Sequence, residues 1–370
     1  MSEQQSTPRD DGFSMPAEWE PHEACLMEWP TLTRGELWGA RFEEAKHDYA
    51  AVATAIGAFE PVVMVCDPDQ AAEVRRFCGD GIEILPLPID DSWMRDNGPI
   101  FIRDPAGLIA LVHFRFNSWG EKYVPYDHDA EVPRRVASHL GMRRYEAPFV
   151  LEGGSFFVDG EGTLITTEQC LLNPNRNPGM QRADIEAELR RMLGVSRIVW
   201  LPGNPSEVET DGHIDGIASF VAPGRILFNA ADPDQGDYYR TMQDNRRALQ
   251  LATDAHGRRF EILELPVPRG VDDFGSERFC DTYANYILVN GAVIGTAFGV
   301  SRDDEARQAL ARAFPDRIVE LLPIAAISMG GGAAHCSTQQ QPIASGGATL
   351  PAADDERNAT KRGNRGQHQA

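Results

Sequence analysis

The segment 329–342 reads MGGGAAHCSTQQQP and places Cys336 behind three glycines and next to His335. A glycine run lets the backbone turn tightly, and a deprotonated thiol is a strong nucleophile. The segment therefore predicts Cys336 as the nucleophile of a site to which other segments must contribute. The remaining cysteines have no chemical partner nearby in sequence and are predicted to be structural free thiols: Cys25, Cys66, Cys78, Cys170 and Cys280.

Carboxylates and a histidine stand in three further short motifs. Asp96 lies in DDSWMRDNGP, Glu152 lies in LEGGSFF, and His213 and Asp215 lie in ETDGHIDG. Carboxylates beside a thiol raise its pKa, so they fit such a site only if the substrate brings a positive charge. A planar guanidinium offers paired N–H donors to carboxylates and an electrophilic carbon to a thiolate. The combination predicts a cationic guanidino substrate whose binding helps to ionise Cys336.

The elements that must hold these residues recur in one order along the chain. Apolar residues at helical spacing predict helices over 41–59, 184–194, 245–257 and 303–314. Short apolar runs predict a strand after each helix, at 61–66, 197–202, 260–266 and 317–323. Paired apolar runs around a turn predict hairpins over 100–114, 155–167, 217–229 and 283–298. A weaker helix and strand over 132–148 complete the series.

The hairpins recur about every sixty residues, which is typical of one supersecondary unit repeated around an axis. About five modules can be counted, so the fold predicted is a five-bladed α/β propeller. A doubly wound sheet is the alternative, but it would alternate single strands with helices and would not need regular hairpins. In a closed ring the joints before the hairpins converge, so the residues of the four motifs would share one pocket.

Composition restricts the partners. The formal net charge is −21, which disfavours nucleic acid and anionic membrane surfaces and favours a cationic small molecule. No apolar run reaches the length of a membrane span and the N-terminus lacks the features of a secretion signal, so a cytoplasmic protein is predicted. The sequence contains no CxxC motif, so a zinc site built from cysteine thiolates is not expected. The sequence does not decide whether the chain forms a homo-oligomer.

One catalytic domain is expected over 15–343. Residues 1–14 and 344–370 are poor in large apolar groups and are predicted to be disordered.

Taken together, the motifs resemble those of the agmatine deiminases, within the guanidino-modifying enzymes of the pentein fold. The resemblance covers nearly the whole ordered chain, from MPAEWEPHEACLMEWP through DDSWMRDNGP, FNSWG, LEGGSF, NPNRNPG and DGHIDG to GGGAAHCSTQQQP. It implies a five-bladed α/β propeller that hydrolyses agmatine to N-carbamoylputrescine and ammonia without metal or cofactor. It also implies roles in the site: Cys336 as nucleophile, His213 as general acid and base, Glu152 as partner of His213, and Asp96 and Asp215 as guanidinium ligands.

The distal end of the substrate is predicted from the loop before His213. This loop, NPSEVETDG, carries three acidic residues and no basic one, so it favours a distal amine over an α-carboxylate. Glu209 is the candidate for contact with that amine. Trp93 in DDSWMRDNGP and Trp119 in FNSWG are further candidates for substrate binding.

Several alternatives stay open. Ala333, Ala334, Asn97 and Gly216 depart from the family pattern, so another guanidino compound such as arginine is possible, and so is transfer of the amidino group to an amine. The Asp-x-His-x-Asp pattern of DGHID, with Asp232 and Asp234, is compatible with a dinuclear manganese hydrolase, although a second histidine motif is not visible. A polyamine-binding protein without catalysis is the third alternative.

Overall fold

The computed structural model describes residues 6–344. Its sixteen strands in that range are β1 (His22–Glu28), β2 (Val62–Cys66), β3 (Glu83–Pro86), β4 (Ile100–Arg103), β5 (Ile109–Arg115), β6 (Arg144–Val150), β7 (Phe156–Val158), β8 (Thr163–Thr167), β9 (Arg197–Leu201), β10 (Ala218–Ala222), β11 (Arg225–Ala230), β12 (Glu261–Pro266), β13 (Ile287–Val289), β14 (Ala292–Thr296), β15 (Ile318–Leu322) and β16 (Thr338–Pro342). The α-helices are α1 (Phe42–Gly57), α2 (Ala71–Cys78), α3 (Met94–Asn97), α4 (Ser118–Glu121), α5 (Val132–Leu140), α6 (Glu168–Leu171), α7 (Arg182–Leu193), α8 (Asp237–Leu251), α9 (Arg302–Ala313) and α10 (Ala325–Ser328).

The strands form five separate sheets. Four of them share one plan, in which an antiparallel hairpin is extended by a parallel third strand: β4-β5-β6, β7-β8-β9, β10-β11-β12 and β13-β14-β15. In the remaining sheet, of order β16-β1-β2-β3, β16 pairs antiparallel with β1. The five-module α/β propeller is therefore confirmed, and β16 closes it by completing the first module from the other end of the chain.

Two hairpin turns show why local sequence predicted these sheets. Gly224, after Pro223, has a φ of 73°, and Gly291, after Asn290, has a φ of 86°. Glycine enters this left-handed region without a Cβ clash, so each dipeptide reverses the chain tightly. Every residue of β13 and β14 is buried, in keeping with their apolar sequence on both faces.

The helix predicted over 245–257 lies earlier in the chain than expected. It is α8, which begins at Asp237 and ends at Leu251. Its buried side chains, spaced three and four residues apart, are Met242, Asn245 and Leu249. The first turn of α8 contributes none of them, so apolar spacing did not reveal the helix start. The helix ends where Ala252 adopts an extended backbone, and Thr253 then bridges to Arg259 ahead of β12. No helix among residues 6–344 is long and apolar enough to cross a membrane.

The expectation of disorder over 1–14 is wrong for residues 6–14. Phe13 is buried and packs edge-on against Tyr145, with 5.9 Å between ring centroids. Ser14 pairs with Arg103 of β4. These partners are remote in sequence, so composition could not reveal them. The expected C-terminal tail lies outside the described residues from 345 onward, and a single domain over 15–343 stays a prediction.

The polar residues of the motifs lie just before the first strand of each module. Asp96 precedes β4, Glu152 precedes β7, His213 and Asp215 precede β10, and Cys336 precedes β16. The fifth joint, before β13, carries Asn285, which sequence reasoning did not select. Helix α3 contacts the 3-10 turn Gly153–Ser155, and that turn contacts the 3-10 turn Ile214–Gly216. Equivalent joints of neighbouring modules therefore meet.

Candidate active site

Three of the motif residues converge on Gly154. A Cβ at this glycine would lie 2.7 Å from His213 Nδ1, 2.9 Å from Asp96 Oδ1 and 3.0 Å from Asp215 Oδ2. The Gly154 N–H donates to Asp96 Oδ1 at 2.9 Å, so the bare backbone also orients that carboxylate. All three side chains are at most 5% exposed. The structure thus brings together a histidine and two carboxylates from two modules around a glycine of a third.

Cys336 lies at the edge of this group. Its Sγ accepts a hydrogen bond from Asn285 Nδ2 at 2.9 Å and lies 3.4 Å from Asp215 Oδ2. Burial, followed by the Asp215 and Asp96 carboxylates, raises the pKa of the Cys336 thiol well above its usual range. The thiol of the free protein is therefore protonated. The upward shift of its pKa agrees with the prediction from the carboxylates in the motifs.

Asn285 organises the segment that carries the nucleophile. Its Oδ1 accepts the backbone N–H groups of Ala333 at 3.1 Å, His335 at 3.1 Å and Cys336 at 3.2 Å. Its Nδ2 also donates to Asp215 Oδ2 at 3.1 Å. One buried amide therefore joins the nucleophile, its backbone and a site carboxylate. Its place before β13, equivalent to the other joints, is the sequence signal that could have found it.

His335 links the site to a buried ion pair. Its Nδ1 lies 2.9 Å from Asp215 Oδ2 and its Nε2 lies 3.0 Å from Glu18 Oε1. Two carboxylate partners require both ring nitrogens to donate, so the ring is an imidazolium. Burial and Arg95 oppose this charge, but Glu18 and Asp215 raise the pKa of His335. Arg95 completes the chain with a 3.0 Å bond to Glu18.

The pKa values of the two acids that flank His335 follow from this arrangement. Burial acts to raise the pKa of Glu18, yet His335 and Arg95 lower it to about 2. Burial acts in the same way on Asp215, and its bond with His335 lowers its pKa. Asp215 therefore stays ionised although it is buried. Sequence reasoning treated His335 only as a neighbour of Cys336 and missed Glu18.

His213 faces two carboxylates without a close hydrogen bond to either. Its Nε2 lies 3.8 Å from Glu152 Oε2 and its Nδ1 lies 3.9 Å from Asp96 Oδ1. Burial lowers the pKa of His213, but Asp96 and further partners raise it well above the usual value. The ring is therefore set to hold a proton inside the site.

Arg176 fixes the other side of Glu152. Its Nε donates to Glu152 Oε1 at 2.6 Å, and neither side chain has solvent exposure. Burial opposes the shift, yet Arg176 and His213 lower the pKa of Glu152 to about 2. Sequence reasoning did not assign Arg176, although it lies in NPNRNPG, one of the motifs that carried the resemblance.

The two candidate tryptophans line the walls of the site. Trp119 donates from Nε1 to Asp96 Oδ2 at 2.9 Å. A Cβ at Gly332 would lie 2.5 Å from the Trp93 ring and 2.7 Å from Cys336 Cβ. Trp119 therefore orients a carboxylate and Trp93 packs beside the nucleophile. Direct contact of either ring with a substrate stays a prediction.

Glu209 lies beside the glycine segment that precedes Cys336, and its contact with a substrate amine stays a prediction. A Cβ at Gly331 would lie 2.8 Å from Glu209 Cγ. Its carboxylate already accepts a hydrogen bond from the Tyr123 hydroxyl, and Arg278 Nε lies 3.7 Å away. Any amine bound here would therefore share Glu209 with two existing partners.

The loop before His213 is less acidic in effect than its sequence indicates. Glu207 turns inward and accepts the backbone N–H groups of Thr210 at 2.9 Å and Gly212 at 2.6 Å. Asp211 is paired with Lys122 at 3.0 Å and also with Arg176. The loop itself carries no base, but cations from other segments neutralise much of its charge.

The residues that depart from the family pattern are tied into the structure. Ala333 and Ala334 are fully buried. Asn97 donates to Glu28 Oε2 at 3.0 Å, and the Gly216 carbonyl accepts from Asn229 Nδ2 at 2.6 Å.

The donors proposed for a manganese pair are not assembled. Asp232 and Asp234 are paired with Arg269 at 3.1 and 2.8 Å, and Asp211 is paired as described above. Within residues 6–344, the group of side chains able to share one metal ion is instead Glu152, Cys170 and His213. The arrangement therefore does not fit the dinuclear hydrolase, which needs several bridging and terminal carboxylates around two ions.

Comparisons with known proteins agree with the geometry. The family model of Porphyromonas-type peptidyl-arginine deiminases matches residues 14–342. The agmatine deiminase of Pseudomonas aeruginosa strain LESB58 is 42% identical over 365 residues, which cover 92% of this chain and 99% of that protein. The agmatine deiminase of Enterococcus faecalis superposes with a TM-score of 0.88 at 33% identity, covering 92% of this chain and 98% of that chain.

A C. jejuni agmatine deiminase with substrate bound superposes with a TM-score of 0.80 at 26% identity, covering 90% of this chain and 97% of that chain. The resemblance inferred from the motifs and the pentein fold that it implies are confirmed. Because the match extends over nearly all of the described residues, this chain belongs to the Porphyromonas-type peptidyl-arginine deiminase family.

Proposed function

We propose that this protein hydrolyses agmatine to N-carbamoylputrescine and ammonia, as the names of its relatives suggest. The observation that carries the proposal is the position of Cys336 Sγ, 3.4 Å from one of two carboxylates that meet a histidine at Gly154. A thiol beside carboxylates is a poor nucleophile until a cation joins them. A guanidinium supplies that cation and the electrophilic carbon at once.

Substrate binding uses Asp96 and Asp215. Each carboxylate accepts N–H groups of the planar guanidinium, and together they hold its carbon over Cys336. The positive charge of the substrate offsets the two carboxylates and favours the thiolate, whose proton is released to solvent. The hydrogen bond from Asn285 Nδ2 to Sγ, 2.9 Å in the free protein, stabilises the same thiolate.

In the first half-reaction a C–S bond forms and a C–N bond breaks. The Cys336 thiolate adds to the guanidinium carbon, and protonated His213 gives its proton to a terminal nitrogen of the tetrahedral adduct. Ammonia leaves with the electron pair of the C–N bond. The enzyme then carries an S-alkylthiouronium on Cys336, and His213 is neutral.

In the second half-reaction water replaces ammonia. Neutral His213, oriented by Glu152, removes a proton from water as its oxygen adds to the thiouronium carbon. Collapse breaks the C–S bond and returns its electron pair to Cys336. The remaining hydroxyl proton is released to solvent, where it converts the ammonia to ammonium, so the products are a ureido compound and ammonium.

Arginine is the second candidate because Arg278 stands at the distal end, 3.7 Å from Glu209. A guanidinium at that place could pair with an α-carboxylate, whereas Glu209 and the net charge favour an amine. An unpaired substrate carboxylate would cost a few kcal/mol, so kcat/KM for agmatine should exceed that for arginine by about two to four orders of magnitude.

A panel of guanidino compounds tests the proposal, with ammonia and urea measured in parallel. Release of ammonia from agmatine supports it, while release of urea would indicate a ureohydrolase. Comparable kcat/KM values for arginine would overturn the substrate assignment.

Two variants test the distal contacts. Loss of arginine turnover alone in Arg278→Gln would identify Arg278 as the carboxylate partner. An unchanged preference for agmatine over arginine in Glu209→Gln would remove Glu209 from amine recognition. Addition of an acceptor amine tests transfer of the amidino group.

A further inference from the structure

Cys170 forms a compact group with two residues of the site. It lies in α6 and is fully buried, as Glu152 is, while His213 is 4% exposed. One oxygen of Glu152, Cys170 Sγ and one ring nitrogen of His213 all lie within 4.8 Å of one another. From sequence Cys170 had no chemical partner, yet the fold places its thiol against the acid–base histidine.

The polar atoms of this group are without partners. Glu152 Oε2 and both ring nitrogens of His213 are buried and accept or donate no hydrogen bond within residues 6–344. Buried polar atoms are normally satisfied, so each orphaned atom calls for a ligand. Substrate and water account for the side of His213 that faces Asp96, but they do not account for a thiol on the side of Glu152.

The spacing suits one small cation. Glu152 Oε2 and His213 Nε2 are 3.8 Å apart. Three ligand atoms at that mutual separation would have a common centre about 2.2 Å from each, which lies in the range of Zn–O, Zn–N and Zn–S bonds. At the 4.8 Å limit of the group the centre would be about 2.8 Å away, so a small inward movement of the side chains would complete the site.

We propose that Glu152, Cys170 and His213 form a binding site for a thiophilic divalent cation such as Zn²⁺, and that the bound cation inhibits the enzyme. Thiolate, imidazole and carboxylate together select Zn²⁺ over Mg²⁺ or Ca²⁺. Arg176 holds Glu152 Oε1, which leaves Oε2 for the metal. Two anionic ligands balance the charge of the ion, and binding releases protons from Cys170 and His213.

Inhibition follows from the ligand set. A metal on His213 Nε2 takes the place of one ring proton, so the ring can no longer form the imidazolium that protonates the departing nitrogen. The cation also places two positive charges next to the guanidinium position. Water would occupy the fourth coordination place, as in other three-ligand zinc sites.

Binding is tested in Cys336→Ser protein, which removes the nucleophile as a competing thiol and needs no turnover. This protein should bind one Zn²⁺ per chain in competition with a chromophoric chelator, and its Co²⁺ form should show a thiolate-to-cobalt charge-transfer band. Adding Cys170→Ser should abolish the band and weaken Zn²⁺ binding at least about tenfold. Cys280→Ser in the same background is the matched control and should change neither.

The inhibition arm rests on the proposed function. Zn²⁺ should inhibit agmatine turnover reversibly, and Cys170→Ser should keep its activity while needing at least about tenfold more Zn²⁺ for the same inhibition. Cys170→Ala repeats the test if the serine variant folds poorly. A charge-transfer band that persists without Cys170, or equal Zn²⁺ sensitivity in wild type and both Cys170 variants, would overturn the site.

Discussion

Two groups of buried carboxylates in this molecule differ in what neutralises them. The site group consists of Asp96, Glu152 and Asp215, and the acidic core group consists of Glu28, Asp91 and Asp129. All six are at most 5% exposed. The site group contacts Arg176, His213 and His335, whereas the cation paired with the acidic core group is Arg34, 3.4 Å from Asp91.

The pKa values diverge accordingly. In the site group, fixed cations outweigh burial and lower the pKa of Glu152 to about 2 and that of Asp215 below its usual value. In the acidic core group, burial and neighbouring acids raise the pKa of Glu28 and Asp91 well above normal, and burial raises that of Asp129 to about 7. Burial alone therefore does not decide whether a carboxylate can bind a cation.

Asp96 is the intermediate case. Burial raises its pKa, His213 acts to lower it, and Asp215 and Glu152 raise it further. Asp96 and Cys336 thus share one property, since both hold a proton more tightly than usual until a positive charge arrives. A guanidinium between them is the charge that would ionise both.

The largest expected effect is loss of the thiol. Cys336→Ala should abolish ammonia release from agmatine, because no other group forms the covalent intermediate. A metal chelator should leave wild-type turnover intact, since no proposed step uses a metal. Residual steady-state activity in the alanine variant, or chelator-sensitive activity restored by manganese, would favour a metal-dependent hydrolysis.

Neutralising one acid in each group tests whether the two groups differ in function. Asp215→Asn removes a guanidinium ligand and should lower kcat/KM by about three orders of magnitude or more. Glu28→Gln is the matched control, because a carboxyl with a raised pKa is already neutral there, and it should leave kcat/KM within a few-fold of wild type. Equal losses in the two variants would show that the groups are not functionally distinct.

The smallest expected effect is on stability against pH. The folded pKa of Asp129 is about 7 against an ordinary value of 3.8, so its contribution is present below the unfolded pKa and lost as pH rises toward 7. Wild-type protein should lose free energy of unfolding between pH 5 and pH 8. Asp129→Asn should lose at least about 1 kcal/mol less over that interval, measured by denaturant unfolding. An identical pH dependence in the variant would contradict the raised pKa.

Sequence reasoning succeeded where the signal is local. Gly224 and Gly291 mark hairpin turns through their own dipeptides, and the spacing of the hairpins revealed the modules. The start of α8 and the packing of Phe13 escaped it, because neither follows from apolar spacing in the segment itself. Local patterns predict elements, while their ends and attachments depend on distant partners.

The same limit applies to the site. Cys336, Asp96 and Asp215 stand in motifs and lie together as expected. Glu18 stands in the motif MPAEWEPHEACLMEWP, but nothing local gives it a role, and Cys170 stands in no motif. Only the closed ring brings Glu18 to His335 and Cys170 to His213. Asn285 is different, because its position before β13 matches the other joints and could have been selected from the module order alone.

We propose that the Cys336 thiol stays protonated until a guanidinium binds between Asp96 and Asp215. The most direct test is the pH dependence of Cys336 alkylation by iodoacetamide in the free enzyme, with Cys336→Ser as the background. We expect slow alkylation at neutral pH and an apparent thiol pKa above the usual value of about 8.5. Thiolate absorbance of His213→Asn protein should then rise at neutral pH when agmatine is added. Rapid alkylation of the free enzyme at pH 7, with an apparent thiol pKa below about 7, would contradict it.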